Sequence, residues 1–316
     1  NNHEGSFELA KKLIYLAHQS GADAVKFQTI EPHLLIQKSN QERINTLKKF
    51  YLNPNQYKEL ASISNDLGII FLSTPFSIDC LSWLKHLVPA IKISSGDITY
   101  ISLLKKVAAI GKPIFLSTGM STMEEIKTAI EVICELSPLE NPKKNICIMH
   151  CISSYPTENH DANLNCLNTI KKFGCSIGYS DHTIGIEASK CAVALGARVI
   201  EKHFTISKNY SSFRDHQLSS DPEEMMQLSK SIKEIQNLLG TNQKKLFDCE
   251  KNTYYAARRS LVVSKNLPAG TVIQESDLES LRPLGHIPSN NLGNVVGKKL
   301  TVSLKAGEFL RKEFLN

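Results

Sequence analysis

Over the first 240 residues, short runs of apolar side chains alternate with longer segments in which apolar positions recur every three or four residues. Short runs of this kind predict buried strands, and the longer recurrence predicts helices with one face on a core. The runs at residues 24–28, 69–73, 90–94, 113–117, 145–151, 175–180 and 197–203 predict seven strands. Helical patterns fill most of the intervals. SFELAKKLIYLAHQSG should end at Gly21 as the residue past its cap, and MSTMEEIKTAIEVI opens with the capping-box spacing Ser121-x-x-Glu124. A last helix is expected over residues 221–239.

Strands alternating with helices give an α/β chain with a parallel sheet, whose natural closure is the TIM-type (β/α)8 barrel. Seven strands are one short of that closure, and the chain opens on Asn1 without an initiator Met. The expectation is a fragment whose first barrel strand is truncated, with roughly ten more residues in its parent. Residues 1–240 would form this barrel. The polar stretch TNQKKLFDCEKNTYYAA, residues 241–257, predicts a linker, and residues 258–316 a small β-rich domain. Within the latter, LPAGTVIQESDL and LKAGEFLRKEFL echo one another, which predicts a duplicated β motif.

Composition narrows the possible partners. With 316 residues and 41% hydrophobic content the chain can bury a large core and carry a small extra domain. No apolar run reaches the roughly 18 residues of a membrane span, and the start lacks the basic and apolar regions of a secretory signal, so a cytoplasmic location is expected. The eight cysteines sit mostly inside apolar runs (Cys134, Cys147, Cys151, Cys191) without paired metal spacing, which predicts reduced core residues rather than a zinc site. A net charge of +6 without a dense Lys/Arg block argues against nucleic acid and allows a preference for small anions.

Candidate chemistry gathers where the strands end, the face on which a parallel barrel builds its active site. The runs deliver Lys26 and Gln28, then Thr74, then Lys92, Ser94, Ser95 and Asp97, then Ser117 and Thr118. His150, Ser153 and Tyr155 follow, then Ser180 with His182 and Glu201 with His203. Period-two alternation puts Lys26 with Gln28, Ser180 with His182, and Glu201 with His203 on common faces. A single histidine at a strand end is ordinarily a hydrogen-bonded structural group, but two on adjacent strands facing one mouth form a candidate metal pair. Ser121 and Thr122 read as helix caps, His150 as a core group, and His18, His33, His86 and His286 as surface or packing residues. Lys26 and Lys92 need anions, because a buried unpaired ammonium costs several kcal/mol. Asp97 or Glu201 could pair with one of them, and a phosphorylated substrate could satisfy both, with donors from the hydroxyls and the Gly119 turn.

The ordered motifs NHEG, VKFQT, FLSTPFS, KISSGDI, GKPIFLSTGM, HCISSYPT, IGYSDHTIG and IEKHFT closely resemble the sialic acid synthase (N-acetylneuraminate synthase) family of bacterial nonulosonate synthases. The tail, with RRSLVVSKNLPAGTVIQESDL and VVGKKLTVSLKAGEFL, resembles that family's antifreeze-like (SAF) domain. The resemblance implies condensation of phosphoenolpyruvate with an open-chain N-acetylmannosamine-type sugar to a nine-carbon 2-keto acid and phosphate. It assigns donor binding to Lys26, Thr74, Lys92, Ser95, Ser117 and Ser180, with Ser153 at a position near the phosphate often filled by Asn. A divalent ion, Mn²⁺ or else Mg²⁺ or Co²⁺, would sit on His182 and His203. Sugar contacts fall to Tyr155 and Asp215, and a proton-shuttling role to Asp97, where the family usually has Glu. Arg282 would reach from the SAF domain into a partner's barrel, implying a domain-swapped homodimer. Two departures stand out: the glutamate of the family's first strand is absent, and Arg214 replaces a proline beside the sugar pocket. Alternatives are a legionaminic or pseudaminic acid synthase acting on a diacetamido sugar, and a non-catalytic carbohydrate-binding protein.

Overall fold

A computed structural model describes all 316 residues, and the chain divides into two compact units, residues 1–240 and 241–316. All seven predicted strands of the first unit are present: β1 (Ala24–Thr29), β2 (Ile70–Pro75), β3 (Ile91–Ile93), β4 (Ile114–Ser117), β5 (Ile146–Cys151), β6 (Ser176–Asp181) and β7 (Val199–Lys202). Every pairing among them is parallel, in the orders β1-β2 and β3-β4-β5-β6-β7. Together they curl into a half-barrel of the TIM type. Between β7 and β1, which share no ladder, lies a cavity of about 840 Å³ lined by both strands and by residues of three helices.

Helices α1 (Phe7–Gln19), α2 (Pro54–Leu67), α3 (Ile101–Ala109), α4 (Met123–Leu136) and α5 (Glu187–Ala194) precede or link strands, and α6 (Pro222–Leu239) follows β7. Helix α1 buries Leu9, Ala10, Leu13, Ile14 and Ala17, the stripe its sequence spacing demands. Ser6 Oγ accepts from Leu9 N–H at 3.2 Å to open it, and Gly21, at φ +78°, turns the chain away at its end. Helix α4 starts one residue later than the sequence pattern suggested. Thr122, not Ser121, is its cap, exchanging hydrogen bonds with Glu125 rather than Glu124. Ser/Thr and Glu pairs occur in both registers here, and the buried Ile126, Ile130 and Ile133 select the second.

The strands pack their apolar side chains against these helices, with Ile91, Ile93, Leu116, Ile148 and Leu104 fully buried. Cysteine burial follows the prediction only in part. Cys147, Cys151, Cys80 and Cys175 are buried and all eight thiols are free, but Cys134 is half-buried and Cys191 is exposed on α5. An apolar neighbourhood in sequence does not set which side of a helix a residue occupies. No helix is long and apolar enough to cross a membrane.

The second unit contains helix α7 (Lys251–Ala257), within the stretch expected as a linker, and an antiparallel pair, β8 (Ser260–Val263) and β9 (Leu278–Leu281). Its core is Leu261, Val263, Leu267, Ile273, Leu300 and Leu310 with their neighbours. The echoing segments correspond in space. Leu267 and Leu304, which begin them, exchange backbone hydrogen bonds at 2.8 Å in both directions. Gly270 and Gly307, at matching places, both turn at positive φ, +90° and +87°, a conformation that a side chain would strain.

Candidate active site

The centre of the site is Glu201, on β7. Its Oε2 accepts from Lys92 Nζ at 2.7 Å, and its Oε1 lies 3.7 Å from Lys26 Nζ. Lys26 also donates to Thr74 Oγ1 at 3.3 Å, and Ser180 Oγ donates to Glu201 Oε1 at 3.4 Å. Strands β1, β2, β3, β6 and β7 therefore aim one side chain each at the same point. Two ammonium groups share one carboxylate, which leaves the cluster one positive charge in excess. Burial alone would raise the Glu201 carboxyl, but the charges of Lys26 and Lys92 overcome it and hold the group well below the usual carboxylate range. Burial lowers Lys26, opposed by Glu201 and helped by Lys92.

The sequence offered Asp97 or Glu201 as the partner of one lysine. Glu201 takes both and Asp97 takes neither. Asp97 lies in a turn of 3-10 helix, accepts from Ser94 Oγ at 2.5 Å, and makes no ion pair. Burial pushes its carboxyl up, against the Ser94 hydrogen bond. Glu201 was visible as a neighbour of His203 two positions on, but alternation along one strand cannot show which lysines its carboxylate meets.

Beside the charges is a cluster of hydroxyls. Gly119 N–H donates to Ser95 Oγ at 3.0 Å, and a Cβ at Gly119 would stand 2.2 Å from Ser153 Oγ, 2.9 Å from Ser95 Oγ and 3.3 Å from Cys151 Sγ. A side chain there would displace the Ser153 and Ser95 hydroxyls. Ser153 Oγ is buried with no hydrogen-bond partner in the protein, a state that costs free energy unless a ligand supplies one. Ser117 is buried at the end of β4, while Thr118 Oγ1 donates to the Met149 carbonyl and is committed to the fold.

The two imidazoles do converge. The His182 and His203 ring centroids are 5.3 Å apart with planes at 73°, and Tyr155 lies against both, 4.2 Å from His182 and 5.9 Å from His203. His182 Nδ1 is 2.7 Å from the Ile152 carbonyl, which can only accept, so Nδ1 carries the proton and Nε2 keeps its lone pair. Burial lowers the pKa of both rings, with the Ile152 bond opposing it at His182 and the His182 charge adding to it at His203. Both are neutral at physiological pH, the form that binds metals. Asp215 Oδ2 lies 4.0 Å from His203 Nδ1. No group of three or more His, Cys, Asp or Glu side chains is arranged to hold a metal. Two neutral imidazoles suit a borderline divalent ion whose other positions go to water or substrate.

A third network holds the loop that carries Asp215. Glu4 Oε1 accepts from His216 Nε2 at 2.9 Å and from Ser211 Oγ at 2.6 Å, while Thr205 Oγ1 is 2.6 Å from His216 Nδ1. Nothing in the sequence spacing pointed to Glu4 as the partner of a residue 212 positions away. Arg214 is exposed, its guanidinium 5.5 Å from the Tyr155 ring. Arg282 is exposed in the second unit, at the end of β9 and before a cis Pro283. His150 is a core group bonded to the Ala162 carbonyl at 2.9 Å, and His18, His33, His86 and His286 are exposed.

A family model described as the NeuB family matches residues 13–244, and one described as the SAF domain matches residues 258–316. The chain is 38% identical to N,N'-diacetyllegionaminic acid synthase of Campylobacter jejuni, over 98% of this chain and 96% of that one. It is also 38% identical to the Legionella pneumophila protein of the same name, over 99% and 92%. Among solved structures, the N-acetylneuraminic acid (sialic acid) synthetase of Leptospira borgpetersenii superposes with a TM-score of 0.74 at 33% identity, covering 80% of this chain and 86% of that one.

Proposed function

Since the chain belongs to the NeuB family and carries a SAF domain behind it, we propose that it is a nonulosonate synthase using phosphoenolpyruvate and an open-chain N-acylated amino sugar. The single observation that carries the donor assignment is the pairing of buried Lys92 and half-buried Lys26 with only Glu201 between them. An excess positive charge at a buried site is costly without an anion, and phosphoenolpyruvate brings a carboxylate and a phosphate. Thr74, Ser95, Ser117, Ser153 and Ser180 would supply neutral donors around it, Ser153 with a hydroxyl that has no other partner.

In the proposed reaction the donor's enol carbon bonds to the aldehyde carbon, whose oxygen takes up a proton. Water adds to the cationic carbon left behind and loses a proton. The C–O bond to phosphate in that adduct then breaks with its electrons leaving on phosphate, while the hydroxyl on the same carbon gives up its proton and becomes the carbonyl, giving the 2-keto acid and inorganic phosphate. Lys26 and Lys92 hold the donor's negative charge through these steps. Tyr155 and Asp215 would orient the sugar, and Asp97, whose protonated form burial favours, is assigned the movement of protons. A divalent ion, Mn²⁺ or alternatively Mg²⁺ or Co²⁺, would be held by His182 and His203 and when bound supplies Lewis acidity at the aldehyde oxygen. Arg282 is assigned to the acyl group of a sugar bound by the partner copy in a domain-swapped homodimer.

The test is phosphate release from phosphoenolpyruvate with Mn²⁺ and a panel of N-acylated aldose acceptors. No release with any mono- or diacetamido sugar rejects the proposal. A second reading, diacetamido acceptors over N-acetylmannosamine, is favoured by 38% identity to two legionaminic acid synthases across nearly the whole chain. The ratio of kcat/KM for the two acceptor types decides between them. A strictly monomeric protein in light scattering would remove the swapped-dimer role of Arg282.

A further inference from the structure

The two strands that deliver the imidazoles are joined on their other face by a second, wholly buried ion pair. Asp181 and Lys202 are register partners at the ends of β6 and β7, and each directly precedes one of the two histidines. Their side chains are 0% and 1% exposed, with Lys202 Nζ 3.1 Å from Asp181 Oδ2. The carboxylate is fully used. Oδ1 accepts from Thr183 N–H and Thr183 Oγ1, both at 2.8 Å, and Oδ2 also accepts from Ser189 Oγ at 2.6 Å. Lys202 Nζ donates in addition to the Thr183 carbonyl at 2.7 Å.

One ammonium therefore grips the chain on both sides of His182: the residue before it through a side chain, the residue after it through the backbone. The His182 carbonyl accepts from Thr157 N–H at 2.9 Å, and the His203 carbonyl from Ser220 N–H at 2.8 Å. None of the pair's hydrogen bonds reaches Lys26, Lys92 or Glu201. As a source of stability a buried ion pair is a poor device, since apolar residues of similar volume often serve as well or better. Its directional bonds instead select one geometry.

We propose that Asp181 and Lys202 are positioning residues that set the separation and tilt of the His182 and His203 rings; the consequence for turnover rests on the role given to those rings above. The pair is removed without stranding a charge in the double variant Asp181→Asn/Lys202→Gln, whose amides can bond each other. Three results are expected. The double variant unfolds cooperatively near the parent's midpoint. Its metal-free crystal structure shows the ring centroids moved from 5.3 Å by about 0.5 Å or more. Mn²⁺ affinity by electron paramagnetic resonance and kcat each fall about tenfold or more, while KM for phosphoenolpyruvate stays within about twofold. Rings that superpose on the parent's, with unchanged Mn²⁺ affinity, overturn the proposal. Should the double variant not fold, Ser189→Ala removes one bond from Asp181 and is expected to lower Mn²⁺ affinity about threefold; no change there overturns it equally. A parent protein that neither binds Mn²⁺ nor consumes phosphoenolpyruvate would sink the reading of the preceding section, whereas the ring separation in the variant still decides the positioning claim.

Discussion

Replacing Glu201 by Gln keeps the side chain's size and an acceptor oxygen for Lys92 but takes away the only carboxylate shared by two ammonium groups. At 2.7 Å and an effective dielectric constant of about 20, the Lys92 attraction alone is about 6 kcal/mol gross. Desolvation of both ions offsets much of it, and removing one partner of a buried pair typically costs about 3–5 kcal/mol. Glu201 keeps 26% of its side chain exposed, which places the expected loss near the lower end, about 3 kcal/mol. The same substitution should improve capture of the donor, because its anionic groups now meet two uncompensated cations. A tenfold tighter complex corresponds to about 1.4 kcal/mol of additional ligand-induced stabilisation at a fixed saturating concentration. The assay is urea unfolding of parent and Glu201→Gln, each with and without phosphoenolpyruvate, in the presence of a chelator. The reasoning is refuted if the variant's midpoint matches the parent's, or if phosphoenolpyruvate stabilises it by the same increment or less.

Four further outcomes are expected. His203→Ala should abolish turnover with folding largely kept, and Lys92→Ala should mainly raise KM for phosphoenolpyruvate; normal metal-free rates in the His203 variant would cancel its assigned role. Buried His3, His150, His182 and His203 have depressed pKa values, His3 down to about 3, chiefly because burial disfavours the cation. Their unfolded counterparts bind protons from about pH 6.5 downward, so stability is full above that pH and falls as pH drops through it. Denaturant midpoints that stay level from about pH 8 to about pH 5 would contradict this. Thr122→Ala should cost about 1 kcal/mol in thermal unfolding and Ser121→Ala almost nothing, the reverse of what the Ser121-x-x-Glu124 spacing suggests.

Periodicity was enough to locate all seven strands of the first unit and its last helix, because strand and helix each impose a repeat that one face of the chain must honour wherever it folds. It also placed Ser180 with His182, and Glu201 with His203, since alternation is a local property of the backbone. The echo in the tail was likewise readable, and its two glycines occupy equivalent turns at positive φ. Local pattern could not choose between adjacent capping registers at Ser121 and Thr122, where packing of three isoleucines decided. Nor could it show that Cys191 faces outward.

The partnerships that make the site belong to the folded chain alone. Lys92 meets Glu201 across 109 positions, His216 meets Glu4 across 212, and Lys202 locks onto Asp181 across 21. Such contacts depend on which strand ends lie side by side and on which charges are left without water, and both follow from three-dimensional packing rather than from the order of residues. The residue types therefore announced an anion-binding, imidazole-bearing mouth, while the allocation of one carboxylate to two lysines had to await the curl of the sheet.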